Sequence, residues 1–369
     1  MGSSGKAMQA VAATLGVMLW AMMAALTPPA NAQSWPERGP QGQNWTPAKE
    51  LFGYTPLPST QSAASFGTYT RGCLAGGQAI SADGPTWQAM RLSRNRRWGH
   101  PAMIGLIERL SREAAAQDGW PGLLVGDISQ PRGGPMLSGH ASHQMGIDAD
   151  IWLRPMPDQR FSFGQRERES AISVLKDGGK SWTVDDRIWT PAHGKLLRRA
   201  ANYPEVQRLF VHPGIKKKMC ETYRGQSWMA KLRPWYGHHY HFHIRLRCQP
   251  GSTGCKAQAA PPAGDGCGDA LDYWFNVKLP GLDKKQAKKS TGPKAKPSRP
   301  PFRILADMPD ACSQVLTGPT PSTPVAATLR SGNWQDAESW AFTEQWRRKK
   351  RVPVILPKIV QTLPRFRQG

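Results

Sequence analysis

The chain has 369 residues, 39% of them hydrophobic, with 37 glycines and 33 prolines. That composition excludes a chain disordered throughout and argues against a helical bundle, and the length suffices for one large domain or two modest ones. The net charge of +23 calls for anionic surroundings.

At the N-terminus, Lys6 precedes the apolar run "AMQAVAATLGVMLWAMMAAL", which ends in "TPPANAQS" with the small-x-small triplet Ala30-Asn31-Ala32. This pattern predicts a signal peptide over 1–32, cleaved after Ala32, and hence an exported mature protein. An uncleaved anchor is the alternative, because the run is nearly long enough to span a bilayer. Residues 33–64 read as a Pro/Gln/Ser-rich approach segment, 65–275 as a compact domain, and 276–369 as a basic, proline-rich tail.

Within the domain, "PAMIGLIERLSREAAA" (101–116) places apolar residues at 103, 104, 106, 107 and 110, which is one helix face. "GLLVGDIS" (122–129) reads as a buried strand. From Gly146 to Leu153 the alternation has period two, with Ile147, Ala149, Ile151 and Leu153 on one face and Asp148, Asp150 and Trp152 on the other. A helical region follows at 190–206, running into the short apolar "VQRLFVH". A second period-two strand covers Tyr240 to Arg247: Tyr240, Phe242, Ile244 and Leu246 face the core, while His241, His243, Arg245 and Arg247 face the other way. The expected fold is α+β, an antiparallel sheet carrying its functional residues in a cleft, loop-rich and with a disordered basic tail.

The tail contains "KLPGLDKKQAKKSTGPKAKPSRPPFR" (278–303), with nine Lys or Arg against one acid, which is a solvated linker. A second cluster, "RRKKR" (347–351), is followed by prolines that forbid a long helix. For an exported chain this charge points to anionic envelope polymers or membrane surfaces and not to nucleic acid; plain solubilisation is the alternative.

Six of the nine histidines fall in "GHASHQMGIDAD" (139–150) and "GHHYHFHIR" (237–245). If the two alternating strands are neighbours, Asp150 and His243 point into one space, with His143 above them on the loop entering the first strand. A carboxylate and two imidazoles converging from separate places are the ligand set of a catalytic zinc, whose fourth position stays open. His140 is expected as a hydrogen-bonding partner of a ligand, with a ligand role as the alternative. Asp148 is expected to make a structural hydrogen bond to a nearby loop, and His239 to be solvated. His100, His193 and His212 are read as structural, and Arg245 and Arg247 as solvated, with binding of a substrate carboxylate as their alternative.

The six cysteines, Cys73, Cys220, Cys248, Cys255, Cys267 and Cys312, contain no CxxC. In an exported protein they pair with one another, and the sequence arithmetic leaves the connectivity open.

The stretches "SGHASHQMGIDADIW" and "WYGHHYHFHIRLRC", together with "RGCLAGG", "QAMRLSRNRRWGHP", "VGDISQPRGG", "KLRPWYGHH" and "GDGCGDAL", resemble the penicillin-insensitive murein endopeptidases, LAS-type zinc peptidases. The likeness covers 65–275, with Cys312 as a detached match. It implies zinc held by His143, Asp150 and His243, His241 as the catalytic histidine and His238 as a second one beside it. It further implies a periplasmic endopeptidase that cuts the D-alanyl–diaminopimelate cross-link of peptidoglycan, with the pairs Cys73–Cys312, Cys220–Cys267 and Cys248–Cys255. Members of the family can carry a second zinc, bound through an aspartate and a histidine and associated with a homodimer interface. Here Asp177 in "LKDGGKSWTVDDRIW" matches the aspartate but the histidine is absent, so one zinc per chain is expected. Other classes are a zinc carboxypeptidase or amidase acting on peptidoglycan, and a non-catalytic, basic envelope-binding protein.

Overall fold

A computed structural model describes residues 45–282, 302–323 and 334–350. The expected signal peptide, residues 33–44 of the approach segment, the centre of the basic linker, residues 324–333 and the last nineteen residues lie outside them.

The first part of the fold comprises α1 (Ala48–Gly53), β1 (Ala64–Thr68), β2 (Arg71–Ala75), β3 (Gln78–Ala79), β4 (Asp83–Gly84), β5 (Trp87–Ala89) and β6 (Trp98–Gly99). The centre holds α2 (Pro101–Gln117), β7 (Leu123–Val125), β8 (Asp148–Trp152), α3 (Phe163–Arg168), α4 (Pro191–Asn202) and β9 (Val206–Val211). Then come α5 (Pro213–Tyr223), β10 (Leu232–Pro234), β11 (His241–Leu246), α6 (Asp269–Tyr273), α7 (Ala311–Thr317) and α8 (Trp334–Lys349).

The main sheet has seven strands in the order β10-β9-β11-β8-β7-β5-β4. The two alternating strands are indeed neighbours: β11 pairs antiparallel with β8, setting His243 opposite Asp150 and Arg245 opposite Asp148. The expectation of a wholly antiparallel sheet needs correction, since β9–β10 and β5–β7 are parallel. Longer connections join both parallel pairs, α2 crossing over between β5 and β7 and α5 between β9 and β10, as parallel pairing requires.

One sheet face is apolar. Ile147, Ala149, Ile151, Phe242, Ile244 and Leu246 are fully buried against α2 and α4, in one cluster with Met103, Ile104, Ile107 and Leu110. Burying each large side chain contributes about 1.5–3 kcal/mol, so the register of β8 on β11 is firmly set, because a one-residue slip would turn the whole apolar row outward. The helix α2 starts where the sequence provides a stop to the strand and a start to the helix: Pro101 takes the first turn, and the His100 ring accepts from the Ala102 N–H at 3.2 Å. The strand expected over 122–129 is shorter, ending at Val125. Beyond it Gly126 and Asp127 still bond to Asp150 of β8 through their backbones, which sets Asp127 and the Ile128 carbonyl beside the polar residues of that strand.

Three disulfides form, Cys73–Cys312, Cys220–Cys267 and Cys248–Cys255, the pairs the resemblance implies. The first joins the β1–β2 hairpin to α7 inside a second apolar cluster of Leu51, Phe52, Cys73, Val315 and Leu316. Arg132, fully buried, donates from Nη1 to the carbonyls of Val315 and Leu316 at 2.6 and 2.8 Å, satisfying the exposed end of that helix. Two parts of the stretch read as a disordered tail are therefore built: 302–323 closes against the hairpin, and α8 packs on the turn at Leu92–Arg94. No helix among the described residues is long and apolar enough to cross a membrane.

Candidate active site

On the polar face of β8 and β11, four imidazoles surround one carboxylate. Asp150 Oδ1 lies 3.3 Å from His143 Nε2, 3.4 Å from His243 Nδ1 and 3.5 Å from His241 Nε2. Its other oxygen lies 3.4 Å from His140 Nδ1. Asp148, Asp150, His143 and His243 are each 4% exposed or less.

The far nitrogen of three of these rings is held. His143 donates from Nδ1 to the Ile128 carbonyl at 2.7 Å, which leaves Nε2 bare and turned to Asp150. His243 donates from Nε2 to Asp148 Oδ1 at 2.9 Å, which turns Nδ1 inward. His140 meets Asp127 Oδ2 through Nε2 at 3.0 Å, with Nδ1 inward. Fixing one ring nitrogen so that the other carries a lone pair into a common space is how proteins prepare metal ligands. Asp148 anchors the arrangement: besides His243 it accepts the His143 backbone N–H at 3.1 Å and two Arg245 bonds at 2.7 and 3.1 Å. His143 sits at φ 66°, in the left-handed region, and that backbone bond helps to hold it there.

Two atoms decide what the pocket is for. His143 Nε2 and Asp150 Oδ1 are buried without a hydrogen-bond partner, a costly state unless something else satisfies them. Donors around a tetrahedral ion with bonds of ~2.0–2.1 Å stand ~3.3–3.4 Å apart, which is the observed spacing about Asp150 Oδ1. His140, His143 and Asp150 have ligand atoms all within 4.8 Å of one another, and theirs is the one such group of His, Cys, Asp or Glu among the described residues. The residues therefore fit a metal ion. His140, expected chiefly as a partner of a ligand, reaches Asp150 itself.

The electrostatics of His243 and the two carboxylates agree with that use, while in the metal-free site His143 leans toward its protonated form. Burial pushes the His243 imidazolium down to about 4, outweighing Asp148, so the ring is neutral and able to ligate at neutral pH. Burial would raise the Asp148 carboxyl, but Arg245 and His243 outweigh it and hold it far below the usual carboxylate range. Asp150 is likewise held low against its burial, by His241 and His143. Burial opposes charge on His143, and Asp150 beside it more than compensates and raises it.

A cleft opens onto this cluster, lined among others by Arg91, Arg94, Asp127, His140, Asp150 and His241. His140 and His241 are therefore the histidines at the open side, while His143 is fully buried behind them. The His238 ring lies 4.8 Å from that of His241. Asp177 stands on an exposed turn outside any metal-binding group among the described residues.

The other assignments divide. His100 and His212 cap α2 and α5, and His193 caps α4 while donating to the Leu153 carbonyl, so all three are structural. His239 is not simply solvated: it is half-buried and bonded to Ser173 Oγ at 2.8 Å. Arg245 is a buried partner of Asp148, whereas Arg247 is exposed. Sequence reasoning missed Asp127 and the arginines of "RLSRNRRW". Asp127 accepts from Arg94 at 3.1 Å and Arg96 at 3.0 Å as well as meeting His140. Four arginines in seven residues beside one unmatched aspartate were the available signal.

The family model described as penicillin-insensitive murein endopeptidase matches residues 65–317. The chain belongs to that family. A penicillin-insensitive murein endopeptidase of Haemophilus influenzae is 43% identical over 266 residues, covering 72% of this chain and 86% of that protein. One of Klebsiella pneumoniae is 40% identical over 225 residues, covering 61% and 81%. One of Escherichia coli is 38% identical over 244 residues, covering 66% and 86%. All residues of the histidine cluster lie inside the family match, and α8 lies beyond its end.

Proposed function

We propose that this peptidase is a zinc-dependent murein endopeptidase that hydrolyses the D-alanyl–diaminopimelate cross-link between stem peptides of peptidoglycan. The observation that carries the reading is the buried, unpartnered pair His143 Nε2 and Asp150 Oδ1, with the inward-turned His243 beside it and a cleft leading to it. His143, Asp150 and His243 are the proposed ligands, and His140 is within reach on the cleft side. One zinc per chain is proposed, Asp177 belonging to no metal-binding group of three or more among the described residues.

Zinc in such a site lowers the pKa of water toward ~7 and polarises a carbonyl oxygen. The chain's own residues do the rest. His241, with Nε2 at the open side of Asp150, takes the proton that water loses on attack and returns one to the departing amine nitrogen. His238, beside His241, supports the charge that develops on the peptide oxygen. The reading is completed by export through residues 1–32 to the periplasm and by peptidoglycan as the partner.

The test is mass spectrometry of purified sacculi digested by the mature protein, with and without a chelator. New amino termini at diaminopimelate, lost on chelation and restored by zinc, are the expected result. Release of terminal D-alanine alone, or of whole stem peptides from the glycan, would instead establish a carboxypeptidase or an amidase.

A further inference from the structure

One wall of the cleft is made by two segments bolted together. Arg91 donates to the carbonyls of Glu167 and, at 2.6 Å, Glu169. Ser93 gives its N–H and its hydroxyl to the Glu167 carboxylate at 2.9 and 2.6 Å. The wall presents Arg91, Arg94, Ser170 and Ala171 to the cleft. Arg94 and Arg96 share the single carboxylate of Asp127, and the Arg94 side chain is 47% exposed.

This wall is under backbone strain. Arg91 and Asn95, flanking the turn Leu92–Arg94, both have positive φ, 55° and 54°. Non-glycine residues persist there only when the surroundings fix them. Arg91 is fixed by the Glu167 and Glu169 carbonyls and Asn95 by the Pro56 carbonyl and the Trp98 Nε1–H, and α8 backs the turn between them. Trp340 packs on Trp98 with ring centroids 5.3 Å apart and lies under the Arg97 guanidinium at 3.8 Å. Ser339 Oγ accepts from Arg97 Nη2 at 3.0 Å, and Thr343 Oγ1 donates to the Leu92 carbonyl at 3.4 Å. Phe342 reaches the second segment, 5.6 Å from Phe163 of α3. Ser339, Trp340, Thr343 and Arg347, one side of the helix, are each 7% exposed or less.

We propose that α8 is a built-in brace for a carboxylate-binding wall, and that Trp340 is a positioning residue acting through Arg97, Trp98 and the Leu92–Arg94 turn on Arg94, which takes a carboxylate of the peptide substrate. The substrate half rests on the proposed function, since stem peptides carry free carboxylates; the brace itself does not. The helix lies beyond the residues that define the family match, so it is an addition to the shared domain that reaches the substrate without touching it.

The experiment uses the full chain with zinc bound, as wild type, Trp340→Ala, Trp340→Phe, Arg94→Gln and the double variant Trp340→Ala/Arg94→Gln. Hydrogen exchange is read at the amides of Arg94, Asn95 and Trp98, which bond to Arg91, Leu92 and Ser129 carbonyls. Turnover is read on a cross-linked muropeptide dimer. Trp340→Ala is expected to speed exchange at those three amides by roughly tenfold or more while leaving β8 and β11 unchanged. KM should rise by roughly tenfold with kcat and zinc content kept, Phe restoring most of the loss. Arg94→Gln should raise KM similarly, and the double variant should add little beyond either single one. Unchanged exchange in Trp340→Ala overturns the brace. Faster exchange with unchanged KM overturns the link from brace to substrate, as does loss of kcat together with zinc. A wild-type protein inactive on the dimer removes the substrate half along with the proposed function, and the exchange data still decide the brace.

Discussion

Asp148→Asn tests the anchoring of the metal cluster, because the change keeps the side chain's shape and alters only what it can accept. The carboxylate takes four donors: the His143 N–H, His243 Nε2–H, and Nε–H and Nη2–H of Arg245. In asparagine one oxygen becomes NH2. Facing Oδ1's place, the new amide opposes His243 and Arg245 Nε; facing Oδ2's place, it opposes the His143 N–H and Arg245 Nη2. Either way two buried donors lose their acceptor, at about 1–3 kcal/mol each. The charge is lost as well, and breaking a buried ion pair typically costs about 3–5 kcal/mol. With Asp148 1% and Arg245 6% exposed, the metal-free protein should lose stability of that order. Because His243 is no longer held, or His143 no longer seated at its unusual φ, zinc affinity should fall by about 10–100-fold. Urea unfolding of the zinc-free protein gives the first quantity, and titration against a chelating indicator the second. If the variant binds zinc within about twofold of wild type, Asp148 does not orient the ligands, and the cluster is anchored by something else.

His143→Ala, Asp150→Ala and His243→Ala should each lose zinc and activity together, measured by elemental analysis beside turnover. His241→Ala should keep its zinc and slow cleavage by ~10²–10⁴-fold, with His238→Ala milder; a metal-free His241→Ala would make it a ligand. His140→Ala should lower zinc affinity without abolishing it, and unchanged affinity would return His140 to the role of a partner. Among the disulfides, Cys73–Cys312 closes a loop of 239 residues and Cys248–Cys255 one of 7, so chain entropy predicts losses of about 5 and 2 kcal/mol for the paired alanine variants. Equal losses in urea unfolding would show that loop length is not what matters. Burial lowers the Lys216 ammonium to about 7 in the folded state, where Nζ donates to the Met229 carbonyl. The unfolded chain then holds a proton that the folded one lacks between about pH 7 and 10.5, so stability should climb across that window and the climb should vanish in Lys216→Met.

What the sequence disclosed and what it hid follow from range. The helix at 101–117, the neighbouring strands and the spacing of Asp150 against His243 were legible because period-two and period-3.6 patterns report directly which face is buried. Asp148 was placed on the right face with a bond to a nearby loop, which the His143 N–H supplies, but His243 and Arg245, nearly a hundred positions away, leave no local trace of their bonds to it. Asp127 was hidden because the apolar run before it does not say where the strand stops. The parallel pairs of the sheet were equally silent, since β5, β7 and β10 are too short to show a period. The tail misled through its prolines and charge; α8 is anchored by Trp340, Ser339 and Thr343, three contacts that composition does not register.

The closing of the hairpin by the far end of the chain has a consequence in time. The β1–β2 pair emerges early from the ribosome together with Leu51 and Phe52 of α1, yet Met308, Val315 and Leu316 of its apolar cover, its disulfide partner and the carbonyls that Arg132 satisfies all belong to 304–316. Pro47 also finds its bridge partner there, at Ile304. Until that late segment arrives, the hairpin keeps an uncovered apolar side and a bare thiol at Cys73. The domain is completed last at the place where it was begun first, and a chain cut short before residue 312 carries its own mark of incompleteness.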